Sequence, residues 1–207
     1  MKFLNSTHAI VIGAHPDDIE YGMLGTFLKF TETHFRIIVL SGGGDFDKST
    51  TESDRRGENE SVWELLPNVV GEVNDGFVRD QSEDAMVDFV ESRMYKMMST
   101  IFTTPQLDSH FEHRMVNNIG PALCRRKPMN LIEYRTPSAL NTWIPNHFVS
   151  LNNKILKDKK KMLKLFTSQQ HAPYFKNKAI DNFHSNYQAS KRGVDVVESY
   201  RIVESFS

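Results

Sequence analysis

Apolar and polar positions follow two different patterns along the chain, and the pattern changes several times. Short apolar runs rich in β-branched residues and bounded by turn residues predict strands at 7–14, 35–41, 69–73, 99–104 and 130–135. Apolar residues spaced three and four apart predict helices at 18–33, 51–66, 82–98 and 111–124. This alternation of strands and helices predicts an α/β fold, a Rossmann-like three-layer sandwich with a mainly parallel sheet.

The last third of the chain has a weaker pattern. Residues 142–207 predict an irregular C-terminal cap over the end of the sheet, with one helix near 151–167. We find no internal repeat, low-complexity segment or convincing linker, and 207 residues are typical of one domain with a full-sized core. We therefore predict a single domain over residues 1–207.

The residues with the most chemical information lie where the first predicted strand ends. Pro16 has no backbone N–H and ends the strand, so His15, Asp17 and Asp18 lie in a tight turn before the next helix. In open α/β sheets, ligands bind at this carboxyl edge. A histidine and an aspartate there can bind one divalent ion, and the second aspartate is left as a base. The alternative is a helix-capping aspartate beside a surface histidine.

A second pair of candidate residues follows a later predicted strand. Residues 99–104 form an apolar run that Pro105 closes, and a helical pattern follows. His110 and His113 lie three apart at the start of that helix, so their rings can share a face. The alternative is a polar helix end that faces water. In a parallel sheet, both strand ends lie at one edge, so the two groups of residues can meet.

Together these residues are sufficient for a catalytic metal site. His15, Asp18 and one of the later histidines would supply three ligands and leave a fourth position open for water, as in catalytic zinc sites. Asp17 would then be free to take a proton from that water, and the remaining histidine would stabilise an oxyanion. The single cysteine, Cys124, excludes a cysteine-rich structural zinc site.

The two motifs resemble those of the PIG-L/LmbE-like zinc-dependent N-deacetylases, which include the deacetylases of bacillithiol and mycothiol biosynthesis. The family's A-H-P-D-D motif matches residues 14–18, and its H-x-D-H motif corresponds to residues 110–113, where Glu112 replaces the Asp. Its further landmarks occur in the family's order. The R-x-x-E, D-G, W-x-P, S-Q, R-G and E-x-F segments stand at 55–58, 75–76, 143–145, 168–169, 192–193 and 204–206.

The resemblance implies a role for each matching residue. His15, Asp18 and His113 would be the zinc ligands. Asp17 would be the general base, and His110 would stabilise the oxyanion. Zinc is the expected cofactor, although Fe²⁺ or another divalent metal can occupy such nitrogen and oxygen ligands.

Two further residues match positions near the family's sugar site, and three depart from the family pattern. Arg55 and Asp75 are the expected substrate-binding residues. Phe111 and Glu112 stand where the family usually has Pro and Asp, and Ser150 stands where many relatives have Asp. Glu112 keeps a carboxylate that can hydrogen-bond a ligating histidine.

The function that the resemblance implies is hydrolysis of the acetyl group from an N-acetylated amino sugar or its conjugate, with zinc-activated water. Two alternatives are an amidase that acts on another small-molecule amide and a non-catalytic sugar- or metal-binding domain. Retention of both Asp17 and His110, which metal binding alone does not need, argues against the non-catalytic alternative.

Composition limits the partners and the location. The net charge is −1, so no overall field favours nucleic acid or an anionic membrane. No apolar run reaches transmembrane length, and the amino terminus does not resemble a signal peptide. With one cysteine, the chain is expected in the cytoplasm. The expected partner is a small-molecule amino-sugar conjugate, and a homo-oligomer is compatible with the sequence.

Two segments have more than one interpretation. Residues 41–45 contain three glycines after the second strand, but they lack the spacing of a nucleotide-binding loop, which favours a flexible rim of the active site. The lysine-rich segment 154–164 is typical of an amphipathic helix with a solvated basic face. A patch for an anionic substrate or polymer is the alternative for that segment.

Overall fold

A mixed sheet of seven strands runs through the computed structural model, which describes Leu4 and residues 7–43, 51–125 and 127–206. The strands are β1 (His8–Gly13), β2 (His34–Val39), β3 (Val69–Val73), β4 (Thr100–Thr103), β5 (Asn130–Tyr134), β6 (His147–Ser150) and β7 (Val197–Glu204). Their order across the sheet is β3-β2-β1-β4-β5-β7-β6. The first five are parallel, whereas β7 pairs antiparallel with both β5 and β6.

Helices pack on both faces of this sheet. They are α1 (Asp18–Lys29), α2 (Glu52–Trp63), α3 (Glu83–Glu91), α4 (Phe111–Cys124), α5 (Asn153–Leu163), α6 (Asn177–His184) and α7 (Tyr187–Ser190). Single 3₁₀ turns lie at Val78–Asp80, Thr167–Gln169 and Pro173–Phe175. The predicted three-layer α/β fold is therefore confirmed. No helix in the described ranges has the length and apolar character needed to cross a bilayer.

The central strand β1 shows why its sequence is a continuous apolar run. Successive side chains of a strand point to opposite faces of the sheet. Val11 packs in the cluster that contains Phe27 of α1, whereas Ile12 packs in the cluster that contains Val116 of α4. Both residues are fully buried. A parallel strand that is covered on both faces needs apolar residues at every position.

The carboxyl-terminal region is more regular than the pattern predicts. Within 142–207 the structure has α5 to α7 and two strands, β6 and β7, that extend the sheet. The sequence of β7 contains charged residues, and Glu198 resembles a surface position. Glu198 is fully buried because a lysine neutralises it. The irregular cap is thus limited to the helices and loops between these two strands.

One predicted helix is also shorter than expected. The pattern predicts a helix over 82–98, but α3 ends at Glu91. Met94 packs against the same core cluster as α3, and Met98 is a buried member of it. Apolar spacing therefore continues beyond the helix because the following turns bury Met98 and partly bury Met94.

A buried ion pair joins α1, α5 and β7. Lys159 Nζ lies 2.6 Å from Glu198 Oε1, and both side chains are fully buried. Lys159 Nζ also donates to the Tyr21 carbonyl at 2.5 Å, and Glu198 accepts the backbone N–H groups of Gly25 and Thr26, each at 2.7 Å. An uninterrupted helix would join the Gly25 N–H to the Tyr21 carbonyl. The ion pair therefore satisfies both groups in α1.

The lysine-rich segment is consequently not a uniform solvated face. Lys159 is its buried member, Lys154 pairs with Asp158 at 3.1 Å, and Lys160 pairs with Asp181. The amphipathic helix that the pattern predicts is present as α5. Among the basic residues of the segment, Lys159 forms an ion pair in the core and two others form pairs at the surface, whereas Lys157, Lys161 and Lys164 are exposed.

This ion pair predicts a large effect of a single substitution on stability. Lys159→Met removes the cation and leaves Glu198 buried without it, so we expect the free energy of unfolding to fall by about 3–5 kcal/mol. The matched control is Lys157→Met on the exposed face of the same helix, which should change that free energy by less than about 0.5 kcal/mol. Urea unfolding followed by circular dichroism measures both. Equal effects of the two substitutions would contradict the prediction.

Candidate active site

The turn between β1 and α1 holds Asp17 in an unusual backbone conformation. Asp17 has φ 94°, and no other non-glycine residue among those described has a positive φ. Such a conformation costs about 1–3 kcal/mol and is concentrated at functional sites. The Asp17 side chain accepts no capping hydrogen bond from α1, although its carbonyl accepts the N–H of Tyr21 at 2.8 Å. A helix cap therefore does not account for this carboxylate.

The structure brings the two sequence motifs together at the carboxyl edge of the sheet. Strands β1 and β4 are parallel neighbours, so the turns that follow them lie side by side. Asp18 Oδ2 lies 3.3 Å from His15 Nδ1 and 3.0 Å from His113 Nε2. His15, His110 and His113 also offer ring nitrogens within 4.8 Å of one another.

Two of the histidines each contact a carboxylate through one ring nitrogen. His15 Nε2 lies 2.5 Å from Glu112 Oε2, and Glu112 Oε1 accepts the backbone N–H of Arg79 at 3.2 Å. His113 Nδ1 lies 2.9 Å from Asp108 Oδ2. Metal-binding histidines commonly have such carboxylate partners on the ring nitrogen that does not bind the metal. His15 Nδ1 and His113 Nε2 thus both lie next to Asp18.

Sequence reasoning missed Asp108 and its neighbours. Asp108 is almost completely buried, and its Oδ1 accepts the backbone N–H of His110 at 2.8 Å. Thr136 donates its hydroxyl to Asp108 Oδ2, and Ser138 Oγ lies 3.1 Å from His113 Nδ1. The only local signal was an aspartate two residues before a candidate histidine. Thr136 and Ser138 follow β5, and nothing in the linear sequence connects them to the histidines.

The charges around Asp18 and His113 stabilise each other. Burial alone would raise the pKa of Asp18, but the charge of His113 and the hydrogen bonds from His113 and His15 hold it well below its usual range. Burial would lower the pKa of His113, but the charge of Asp18 and the hydrogen bond with Asp108 raise it to about 10. A ligating imidazole must give up its proton, so binding of a metal here would release protons.

The side chains in this cluster fit a zinc ion. Imidazole nitrogens and carboxylate oxygens are typical zinc ligands. His110 Nδ1 is buried and, within the described ranges, has no hydrogen-bond partner. The geometry allows two overlapping donor sets, the three histidines or His15 and His113 with Asp18. Burial, with the charges of His113 and His15, lowers the pKa of His110, so this ring is neutral at pH 7.

Asp17 has a different environment from its neighbour Asp18. Its Oδ2 is buried without a hydrogen-bond partner among the described residues, and it forms an ion pair with Arg55, whose Nη2 is 3.7 Å away. Burial raises the pKa of Asp17 to about 8, although the charge of Arg55 opposes the shift. Asp17 is therefore a carboxylate with a high affinity for a proton.

Arg55 reaches the site over a glycine. Its Nη2 donates to the Pro16 carbonyl at 2.8 Å. Gly43 has φ 67°, which strains any residue with a side chain, and a Cβ atom there would lie 2.1 Å from Arg55 Nη1 and displace the guanidinium. The predicted glycine-rich rim at 41–45 is thus next to the site as far as Gly43, and its last two residues lie outside the described residues.

An open cavity of about 620 Å³ contains all five predicted catalytic and metal-binding residues. Its other walls come from several elements. They include Arg55, Phe77, Arg79, Ser109, Phe111, Glu112, Pro137, Ser138, Gln169, His171 and Tyr174. Asp75 is not among the lining residues, because its side chain is 87% exposed and pairs with Arg56. Ser150 also lies outside the cavity. Its carbonyl and hydroxyl oxygens accept hydrogen bonds from Lys29 Nζ.

Two of the family landmarks are joined by hydrogen bonds. Glu58 of α2 accepts the Ser168 N–H and hydroxyl and the Thr167 hydroxyl, each at 2.7 Å. These contacts hold the segment that follows α5 against the helix that carries Arg55. Gln169, His171 and Tyr174 thereby reach the cavity wall.

Comparisons of fold show several solved structures with the same architecture. The conserved protein TT1542 from Thermus thermophilus is 17% identical, with a TM-score of 0.77 over 96% of this chain and 95% of that chain. The N,N'-diacetylchitobiose deacetylase from Pyrococcus horikoshii is 18% identical, with a TM-score of 0.73 over 96% and 84%. GalB, the 4-carboxy-2-hydroxymuconate hydratase from Pseudomonas putida, is 14% identical, with a TM-score of 0.74 over 97% of both chains. At these identities the likeness shows the fold alone.

The family assignment comes from the sequence itself. No curated protein matches this chain. The family model for PIG-L, described as GlcNAc-PI de-N-acetylase, matches residues 10–124, which is more than half of the chain and includes both motifs. The more specific link to bacillithiol and mycothiol biosynthesis stays a prediction. The chain belongs to the PIG-L family.

Proposed function

We propose that this protein is a zinc-dependent N-deacetylase that removes the acetyl group from an N-acetylated amino sugar or its conjugate. One observation carries the proposal. One open cavity contains three candidate ligands and a neutral histidine. It also contains a carboxylate oxygen of Asp17 that has no hydrogen-bond partner among the described residues, and the chain belongs to the PIG-L family. Family membership supports deacetylation, and the arrangement of side chains supports the roles given below.

His15, Asp18 and His113 would hold the zinc ion. The contacts of Asp18 Oδ2 with both rings support this set over the three histidines. When bound there, zinc lowers the pKa of a water molecule and polarises a carbonyl oxygen. Fe²⁺ would fit the same donors.

Asp17 accepts the proton of the attacking water at Oδ2. Its high proton affinity and the lack of a hydrogen-bond donor to this oxygen within the described ranges suit this task. The water oxygen bonds to the acetyl carbon, and the carbon–nitrogen bond then breaks. The protonated Asp17 gives this proton to the leaving nitrogen, while the neutral His110 keeps its N–H for the oxyanion, so that acetate and a free amine result.

His110 stabilises the oxyanion that forms on the acetyl oxygen. As a neutral imidazole it has one N–H to donate, and it lies beside both His15 and His113, with ring centroids 4.8 and 4.7 Å away. Arg55 would bind a polar group of the substrate at the same side as Asp17. A substrate role for Asp75 also stays a prediction.

The amino-sugar substrate is inferred from the family rather than from the residues. The cavity is large enough for a sugar with a substituent, and Phe77, Phe111 and Tyr174 offer apolar surface to it. The structurally similar deacetylase from Pyrococcus horikoshii is named for a diacetylated disaccharide, which is consistent with this class. A cytoplasmic location and assembly into a homo-oligomer stay predictions.

Two other functions remain as alternatives, an amidase for a different small-molecule amide and a non-catalytic sugar- or metal-binding domain. The fold by itself does not decide among reactions, because one structure with the same fold is a hydratase. Acetate release from a panel of N-acetylglucosamine conjugates separates deacetylation from the other two.

The first prediction from the proposed function tests the ligand set. His15→Ala, Asp18→Ala and His113→Ala should each lose most of the bound zinc, because a site with three protein ligands cannot spare one. His110→Ala should keep it. The exposed His34 provides a control, since His34→Ala lies outside the cavity. Metal content is measured by atomic emission after dialysis. Zinc loss in His110→Ala with retention in Asp18→Ala would favour the three-histidine set instead.

The second prediction separates the base from the ligands. Asp17→Asn should lower the rate of acetate release by roughly 100-fold or more while zinc stays bound, because an amide cannot accept the proton. Asparagine tolerates positive φ, so the turn itself is preserved. Asp88→Asn, at an exposed position of α3, is the matched control. Near-normal turnover in fully metallated Asp17→Asn protein would remove Asp17 from the mechanism.

The third prediction concerns the departure at Glu112. Glu112→Gln should weaken zinc binding or activity by roughly 10–100-fold, because an amide that accepts the Arg79 N–H presents its NH₂ group to His15. Glu112→Asp keeps the charge and should be tolerated much better. Chelator titration and acetate release measure both variants, and Glu83→Gln in the first turn of α3 is the control. If both Glu112 variants behave like the wild type, Glu112 is an ordinary acidic residue at the start of a helix and does not position His15.

A further inference from the structure

Asp108 connects the two histidines to which the proposed function gives different roles. Its Oδ2 lies 2.9 Å from His113 Nδ1, and its Oδ1 accepts the His110 backbone N–H at 2.8 Å. The residue is 1% exposed. We propose that Asp108 is a positioning residue that fixes the ring of His113 for metal binding and the backbone of His110 for oxyanion binding. The inference rests on the proposed zinc site but not on the identity of the substrate.

The hydrogen bonds around Asp108 fix the position of both its side chain and its backbone. Thr136 donates its hydroxyl to Oδ2, the oxygen that also contacts His113. The Arg114 guanidinium donates to the Asp108 carbonyl at 2.6 Å. Asp108 also forms an isolated antiparallel bridge with Ala139. Side chain and backbone are therefore both held, and the carboxylate can accept but not donate.

An acceptor at this point determines which nitrogen of His113 carries the proton. With Asp108 accepting, the proton of a neutral ring stays on Nδ1 and the lone pair of Nε2 points to Asp18 and the metal position. Ser138 Oγ, 3.1 Å from the same Nδ1, can accept or donate and so does not select a tautomer by itself. Asp108 therefore selects the tautomer of His113 that is protonated at Nδ1.

Asparagine cannot replace this carboxylate. If its amide oxygen accepts the His110 N–H, its NH₂ group faces His113 Nδ1 and moves the ring proton to Nε2, the wrong tautomer for a ligand. If the amide is reversed, the NH₂ group opposes the N–H of His110 and leaves a buried donor without a partner. Either orientation therefore disturbs one of the two histidines. The same conflict does not arise at an exposed aspartate.

Asp108→Asn is the test, with Asp88→Asn as the charge-matched control. We expect the zinc dissociation constant, measured by chelator competition, to rise roughly 10–100-fold in Asp108→Asn and to stay unchanged in Asp88→Asn. In zinc-loaded protein, ¹⁵N spectra of the histidine rings should show His113 protonated at Nδ1 in the wild type and a changed pattern in Asp108→Asn. A residue that only supports the fold would lower the melting temperature without changing that pattern.

A second variant keeps the test decisive if Asp108→Asn fails to fold. Thr136→Val removes the hydroxyl donor but leaves the carboxylate beside His113, so we expect a smaller loss of zinc affinity and an unchanged tautomer. Wild-type zinc affinity in Asp108→Asn, or in Thr136→Val with Asp108→Asn unfolded, would overturn the inference. A wild-type protein that binds zinc but releases no acetate would overturn the proposed reaction alone. A wild-type protein that binds no zinc would overturn both.

Discussion

The parallel pairing of β1 with β4 is the constraint on which the proposed active site depends. The two strands are in register from Ala9 with Thr100 to Val11 with Phe102. Parallel neighbours end at the same edge of a sheet, so the turn that carries Asp17 and the loop that carries the later histidines must lie side by side. The Tyr134 hydroxyl donates to the Ile12 carbonyl at 3.1 Å and ties the next strand to the same edge.

Within that edge, the two adjacent aspartates differ because their surroundings differ. Asp18 faces two histidines, and its pKa is held well below the usual range, whereas Asp17 is buried beside Arg55 and its pKa rises to about 8. Environments that shift the pKa values of neighbouring carboxyl groups in opposite directions commonly leave one group ionised and let the other carry a proton. The positive φ of Asp17 contributes to this separation, because its side chain makes no capping bond to α1.

The same helix links the site to the stability of the fold. Asp18 is the first residue of α1, and the middle of α1 is held by the buried pair of Lys159 and Glu198. This pair connects the helix to α5 and to the antiparallel strand β7. The carboxyl-terminal region therefore does more than cover the cavity, since it fixes the helix on which a proposed zinc ligand lies.

The sequence by itself determined the local elements of the parallel half of the fold and the residues with metal-binding chemistry. Apolar runs and helical spacing act over fewer than about twenty residues, and the strand ends at Pro16 and Pro105 follow from the missing N–H of proline. The family motifs added the expected roles. These features are readable because each depends on neighbours in the chain.

Only the tertiary structure decided which distant residues meet. Glu112 contacts His15 across 97 positions, Thr136 and Asp108 are joined across 28, and Asp75, which the family pattern placed near the sugar, is at the surface. Strand β7 was missed because its buried Glu198 has a charge that Lys159 neutralises from another helix. Contacts of this kind depend on strand order and helix packing. The periodicity of the linear sequence does not encode which distant side chains that packing brings together.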